Sequence, residues 1–229
     1  MSDNTEGGDG ITLVIGNKNY SSWSLRAWLA LKMTGEDFTE ELVPLDQANS
    51  KEQILRHSPS GQVPALKRGE LVIWDSLAIC EYLAETYPDA KLWPADPAAR
   101  AVARSVSAEM HAGFAALRRN MPMDARETLP DRGMAPGVRE DINRISAIWR
   151  DCRRRFGDDT GYLFGHFTIA DAMFAPVVLR FNTYRPEIGE DAQAYCQTIL
   201  EMPEMQAWIA ADAGRPWPPV LPPASCTSA

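Results

Sequence analysis

The sequence predicts an α+β chain in two parts, a small β-α-β-α-β-β-α unit followed by an all-helical one. Strand signals, short β-branched apolar runs bounded by turn residues, fall only before Pro88. A stretch with three prolines, Pro88 to Pro97, then interrupts all periodicity. From Ala98 onward the apolar spacing is helical throughout. A chain of 229 residues suits two small domains, and 45% apolar with 24% charged residues suits a packed core.

Residues 1–10 are acidic and glycine-rich, the opposite of a signal peptide, and are expected to form a flexible tail. The run Ile11-Thr12-Leu13-Val14-Ile15 is a buried-strand signal. Ser21 and Ser22 open a helix whose stripe is Leu25, Trp28 and Leu29, with Gly35 as its stop. Phe38 to Val43 is extended, and a strand–helix–strand run of this length favours a parallel pair. Residues 48–57 are helical or irregular. Ala65-Leu66-Lys67 and Leu71-Val72-Ile73-Trp74 flank Arg68-Gly69 as a tight hairpin. Asp75-Ser76 then caps a helix with the stripe Ile79, Tyr82 and Leu83, which Pro88 ends.

The expected division is a domain over 11–88, a linker over 89–97, a helical domain over 98–214 and a proline-rich tail over 215–229. Helices are expected over roughly 98–120, 138–156, 169–182, 189–200 and 204–212, with an irregular insert from Met121 to Gly137. No internal repeat is visible.

Composition excludes several classes of function. Acidic residues (31) outnumber basic ones (23), and the net charge of −8 supplies no global field for nucleic acid or an anionic membrane. No apolar run reaches the ~18–20 residues of a membrane span. Cys80, Cys152, Cys196 and Cys226 are far apart, which fits free thiols in a reducing cytoplasm rather than a disulfide scaffold. His57, His111 and His166 are scattered, so no metal site is expected.

Four local features carry chemistry. Ser21-Ser22-Trp23-Ser24-Leu25-Arg26 sits at a helix start, where serines are commonly plain caps. The same geometry also supplies free amides and about half a positive charge that lower the pKa of a thiol. Val63-Pro64 lies between the turn Ser58-Pro59-Ser60-Gly61 and a strand, where an ordinary trans proline is tolerated. Asp75-Ser76 follows eleven residues after Pro64 and is by itself a capping signal. Thr168-Ile169-Ala170-Asp171 is a capping box whose role is folding.

With these motifs in this order, the chain resembles the glutathione S-transferase family, serine-type and cytosolic-like, from Ile11 to about Ala213. The resemblance implies a thioredoxin-like amino-terminal domain and an all-α carboxy-terminal one. It makes Ser21, five residues before Arg26, the catalytic hydroxyl, with Ser22 the second choice. The hydroxyl would donate to the sulfur and would not itself be the nucleophile. It implies a cis bond at Pro64, backbone contacts from Val63 to the cysteinyl part of glutathione, and a Gln62 contact to its glycine end. Lys is commoner in the family at the position of Gln62. Asp75 and Ser76 would bind the γ-glutamyl end. Tyr20, Trp23, His111, Phe114 and Arg118 would wall the electrophile pocket, the last three at i, i+3 and i+7 of one helix, although interdomain packing serves them as well. Glutathione is then the co-substrate and no metal is needed.

The implied activity is conjugation of glutathione to a small apolar electrophile, a detoxification reaction, in a cytoplasmic homodimer. A non-catalytic ligand- or protein-binding module and a glutathione-dependent peroxidase are the alternatives. Two departures matter. One isomerase class carries Ser-Ser-Cys at this helix start, where this chain has Trp23. Classes that reduce mixed disulfides carry cysteine where this chain has Ser21.

Overall fold

The computed structural model describes residues 10–211; the expected proline-rich tail, the residues before Gly10 and Cys226 lie outside them. Strand β1, Ile11–Ile15, runs inside a four-stranded sheet of order β2-β1-β3-β4. All of its residues but the half-buried Thr12 are buried, which accounts for its largely apolar run. Helix α1, Ser22–Lys32, leads to β2, Phe38–Leu42, which pairs parallel to β1 with Ile11 opposite Phe38. That strand is at the sheet edge, so Thr39, Glu40 and Glu41 are tolerated in it. Helix α2, Ser50–Leu55, is one short piece of the 48–57 stretch. Strand β3, Ala65–Arg68, pairs antiparallel with β1, and β4, Leu71–Trp74, pairs antiparallel with β3. Arg68 faces Leu71 across the hairpin, so its turn is Gly69-Glu70, one residue later than the sequence suggested. Gly69 has φ +55°, a conformation that glycine adopts without strain. Helix α3, Ser76–Thr86, completes the unit.

The second half is helical among the described residues: α4 Pro97–Ala112, α5 Ala115–Asn120, α6 Val138–Phe156, α7 Ile169–Tyr184, α8 Glu190–Leu200 and α9 Pro203–Ala211. Its centre is α7, buried along nearly its whole length. The Trp149 ring of α6 packs on Phe174, Phe181 and Tyr195 at centroid distances of 5.8, 5.5 and 4.6 Å. The capping box is formed: Asp171 Oδ2 accepts from Thr168 N at 2.9 Å and from its hydroxyl at 3.1 Å. Asp171 Oδ1 accepts from Leu163 N and the Tyr195 hydroxyl. Burial pushes the Asp171 carboxyl up to about 6 against those four donors.

The single helix expected over 98–120 is two. Gly113 is extended and Phe114 has φ +62°, which ends α4 and restarts the chain as α5. The break is held from outside the local pattern. The Arg118 guanidinium folds back to donate to the carbonyls of Met110, His111 and Gly113, satisfying the last turn of α4. A Cβ at position 113 would lie 2.7 Å from the Glu109 carbonyl oxygen, so glycine is required there.

The halves lock together through α1, which packs on both α3 and α7. Buried Arg26 donates from Nε to Met173 O at 3.1 Å, and Trp208 Nε1 donates to Lys18 O at 2.8 Å. The irregular Met121–Gly137 segment has a position too: Ala125 N donates to Asn19 Oδ1 at 2.9 Å, and Leu129 N to Thr183 O at 2.7 Å.

Candidate active site

A cleft of about 620 Å³ opens where four loops of the α/β unit meet the end of α4. One wall is the start of α1, with Tyr20, Ser21, Ser22 and Trp23. Gly16 makes that wall possible: a Cβ there would sit 2.5 Å from Leu45 Cδ1 and 3.1 Å from Ser21 Oγ. Asn17 fixes the facing loop, its Oδ1 accepting from Leu45 N at 2.7 Å.

Ser21 is the N-cap residue of α1, yet its side chain caps nothing. Its hydroxyl donates to Ser24 Oγ at 2.7 Å, and Ser24 Oγ also accepts from Gly16 N at 3.1 Å. Ser22, also buried, lines the same cleft at the first position of α1.

The second wall is Gly61, Gln62, Val63 and Pro64. The Val63–Pro64 bond is cis, and Gly61 turns the chain at φ +65°. The third is Asp75-Ser76 at the amino end of α3. Asp75 has φ +74°, and its Oδ1 accepts from Leu77 N at 2.9 Å and Ala78 N at 3.3 Å. This cap leaves Oδ2 facing away from the helix, where His111 Nε2 approaches to 3.2 Å. Ser76 Oγ is buried and has no hydrogen-bond partner. A buried unpaired hydroxyl is costly, and a ligand acceptor would satisfy it.

Of the five residues expected to wall an electrophile pocket, Tyr20, Trp23 and His111 line the cleft; Phe114 and Arg118 do not. The helix break turns Phe114 into the core, and Arg118 is spent on the carbonyls of α4. Arg118 also backs the cleft from behind, its guanidinium carbon 4.9 Å from the Trp23 ring, while that of Arg26 is 4.4 Å away. Leu45 and Ile54 are lining residues that the sequence did not single out. The Asn17 contact to Leu45 spans 28 residues, so no local pattern shows it. No group of His, Cys, Asp and Glu suited to a metal ion occurs among the described residues. Burial pushes the thiols of Cys80, Cys152 and Cys196 up to about 12, which removes them as nucleophiles.

The arrangement matches known proteins at two levels. Residues 20–86 match the model of the glutathione S-transferase N-terminal domain, and residues 100–211 match that of the C-terminal domain. The chain belongs to the glutathione S-transferase family. Among its relatives, a probable maleylacetoacetate isomerase of Caenorhabditis elegans is 40% identical over 199 residues, 83% of this chain and 87% of that protein. A maleylacetoacetate isomerase of Rattus norvegicus is 40% identical over 179 residues, 73% and 76% of the two chains. A glutathione transferase homologue from Burkholderia, solved with bound glutathione, shares the fold at a TM-score of 0.67 and 24% identity, covering 89% of this chain and 97% of its own. The chain is thus a member of an enzyme family, with a thioredoxin-like amino-terminal domain followed by a helical one. No helix among the described residues is long and apolar enough to cross a membrane.

Proposed function

We propose that the cleft binds glutathione and presents its thiolate to a small electrophile, which becomes bonded to the sulfur. The observation that carries this reading is the pair Asp75-Ser76, a carboxylate beside a buried unpartnered hydroxyl at the start of α3. The γ-glutamyl end of glutathione offers the complement: its α-carboxylate suits the Ser76 hydroxyl and the helix amides, and its α-ammonium suits Asp75 Oδ2. Val63 then pairs its backbone with the cysteinyl residue, and Gln62 reaches the glycine end. That orientation directs the sulfur toward the amino end of α1. There the helix field and a hydroxyl, Ser21 or its neighbour Ser22, favour the thiolate over the thiol. Tyr20 and Trp23 supply an aromatic wall for the electrophile.

A second reading rests on the relatives named maleylacetoacetate isomerase. In an isomerase, glutathione would add to a double bond and leave again unchanged. Trp23 weighs against it, since a bulky ring follows Ser21-Ser22 where one isomerase class carries cysteine. The two readings share one test. Calorimetry measures glutathione binding; incubation with a chloronitrobenzene, an organic hydroperoxide and a cis-enedione is then followed by product mass. Conjugation consumes glutathione: its sulfur replaces the chloride of the chloronitrobenzene, which leaves as chloride with a proton released, and the product gains the mass of glutathione less HCl. Isomerisation returns it, and a peroxidase oxidises it. A chain that binds no glutathione overturns both readings, and the peroxidase alternative with them. Homodimerisation and a cytoplasmic setting belong to the same proposal. The exposed Leu71 and Trp74 on edge strand β4 support the dimer, and light scattering on the purified chain tests it.

A further inference from the structure

Among the described residues, His111 is the one lining residue of the cleft that comes from the helical half. It stands in the last turn of α4, its Nε2 3.2 Å from Asp75 Oδ2, and its ring meets that of Trp23 edge-on at 5.1 Å. Asp75 Oδ1 is already committed to two amides of α3, so Oδ2 is the oxygen left for a ligand. A carboxylate oxygen accepts two hydrogen bonds. One from His111 fixes where the other lone pair points. The last turn that carries His111 is itself held by the Arg118 guanidinium. Nδ1 of His111 is buried and unpartnered. With a proton on Nε2, that nitrogen donates to the Asp75 carboxylate.

We propose that His111 is a positioning residue of the helical domain that aims Asp75 Oδ2 at the α-ammonium of the γ-glutamyl group. This rests on the glutathione reading above. Two ligands separate a positioning role from mere packing: glutathione, and its analogue with the α-amine replaced by hydrogen. The chain is studied at full length, as wild type, His111→Ala, His111→Gln and Asp75→Asn, by calorimetry.

Wild type should prefer glutathione to the des-amino analogue. His111→Ala should weaken glutathione about 5- to 10-fold, the size of one lost hydrogen bond, and leave the analogue unchanged. His111→Gln, which keeps an N–H donor, should restore most of the loss. Asp75→Asn should erase the preference between the ligands. Equal weakening of both ligands by His111→Ala, or no weakening of either, overturns the positioning role while Asp75 keeps its own. A wild type that binds both ligands equally overturns the role of Asp75 and of His111 together. A wild type that binds neither overturns the glutathione reading itself.

Discussion

Ser21→Ala tests whether this hydroxyl serves the thiolate, and the geometry sets how much it can do. An N-cap serine usually contributes about 1 kcal/mol by capping, but the Ser21 side chain makes no cap bond. Its hydroxyl instead donates to Ser24 Oγ at 2.7 Å. Serving a sulfur anion means giving up that bond. A charged hydrogen bond contributes about 1.5–3 kcal/mol and the neutral one it replaces about 1 kcal/mol. The net gain is roughly 0.5–2 kcal/mol, or about 0.4–1.5 pKa units at ~1.4 kcal/mol per unit. Ser21→Ala should therefore raise the thiol pKa of bound glutathione by that amount, and slow turnover at neutral pH by roughly 3- to 30-fold. Activity should recover at higher pH, and glutathione affinity should change little. Folding should lose no more than about 1 kcal/mol, because Ser24 Oγ keeps its donor Gly16 N. The assay is the ultraviolet absorbance of the bound thiolate against pH, beside the pH profile of turnover. A thiol pKa unmoved in Ser21→Ala and raised by about 1–2 units in Ser22→Ala would move the role to Ser22. No shift in either variant refutes the idea that a hydroxyl makes the thiolate.

Asp75→Ala should weaken glutathione by about 1.5–3 kcal/mol, or roughly 10- to 160-fold, and also cost about 1 kcal/mol of stability through the lost cap of α3. Asp75→Asn should keep the stability and still lose affinity, which denaturation and calorimetry separate. Asp171 takes up its proton near pH 6 in the folded chain and near pH 4 in the unfolded one. Between those values the folded state binds more protons, so its contribution to stability falls as pH rises, by up to ~1.4 kcal/mol per unit. Urea melts of Asp171→Asn across that window should lack this downward slope, whatever their baseline stability. Trp208→Ala should cost about 3–5 kcal/mol, because a fully buried ring and its bond to Lys18 O are both lost. Thermal melting reads that loss directly, and an unchanged midpoint would refute the account of how α9 is held.

The order of elements in the α/β unit was legible because each signal is local. Turn residues, β-branched runs and caps act within three or four positions of themselves, as at Thr168 and Asp171, where one side chain closes the helix start on its own backbone. The motif residues Ser21, Ser22, Val63, Pro64, Asp75 and Ser76 were legible for the same reason, and they do share one cleft. What the sequence could not show was decided by partners far along the chain. A helical pattern over 98–120 contains no sign that Arg118 turns back to close α4, so Phe114 and Arg118 were expected on a wall they do not line. Asn17 fixes Leu45 and Asn19 fixes Ala125 across 28 and 106 residues. His111 meets Asp75 only once the helical half is docked against α1 and α3. Such contacts depend on where two surfaces come together in space, and no spacing along the chain records that.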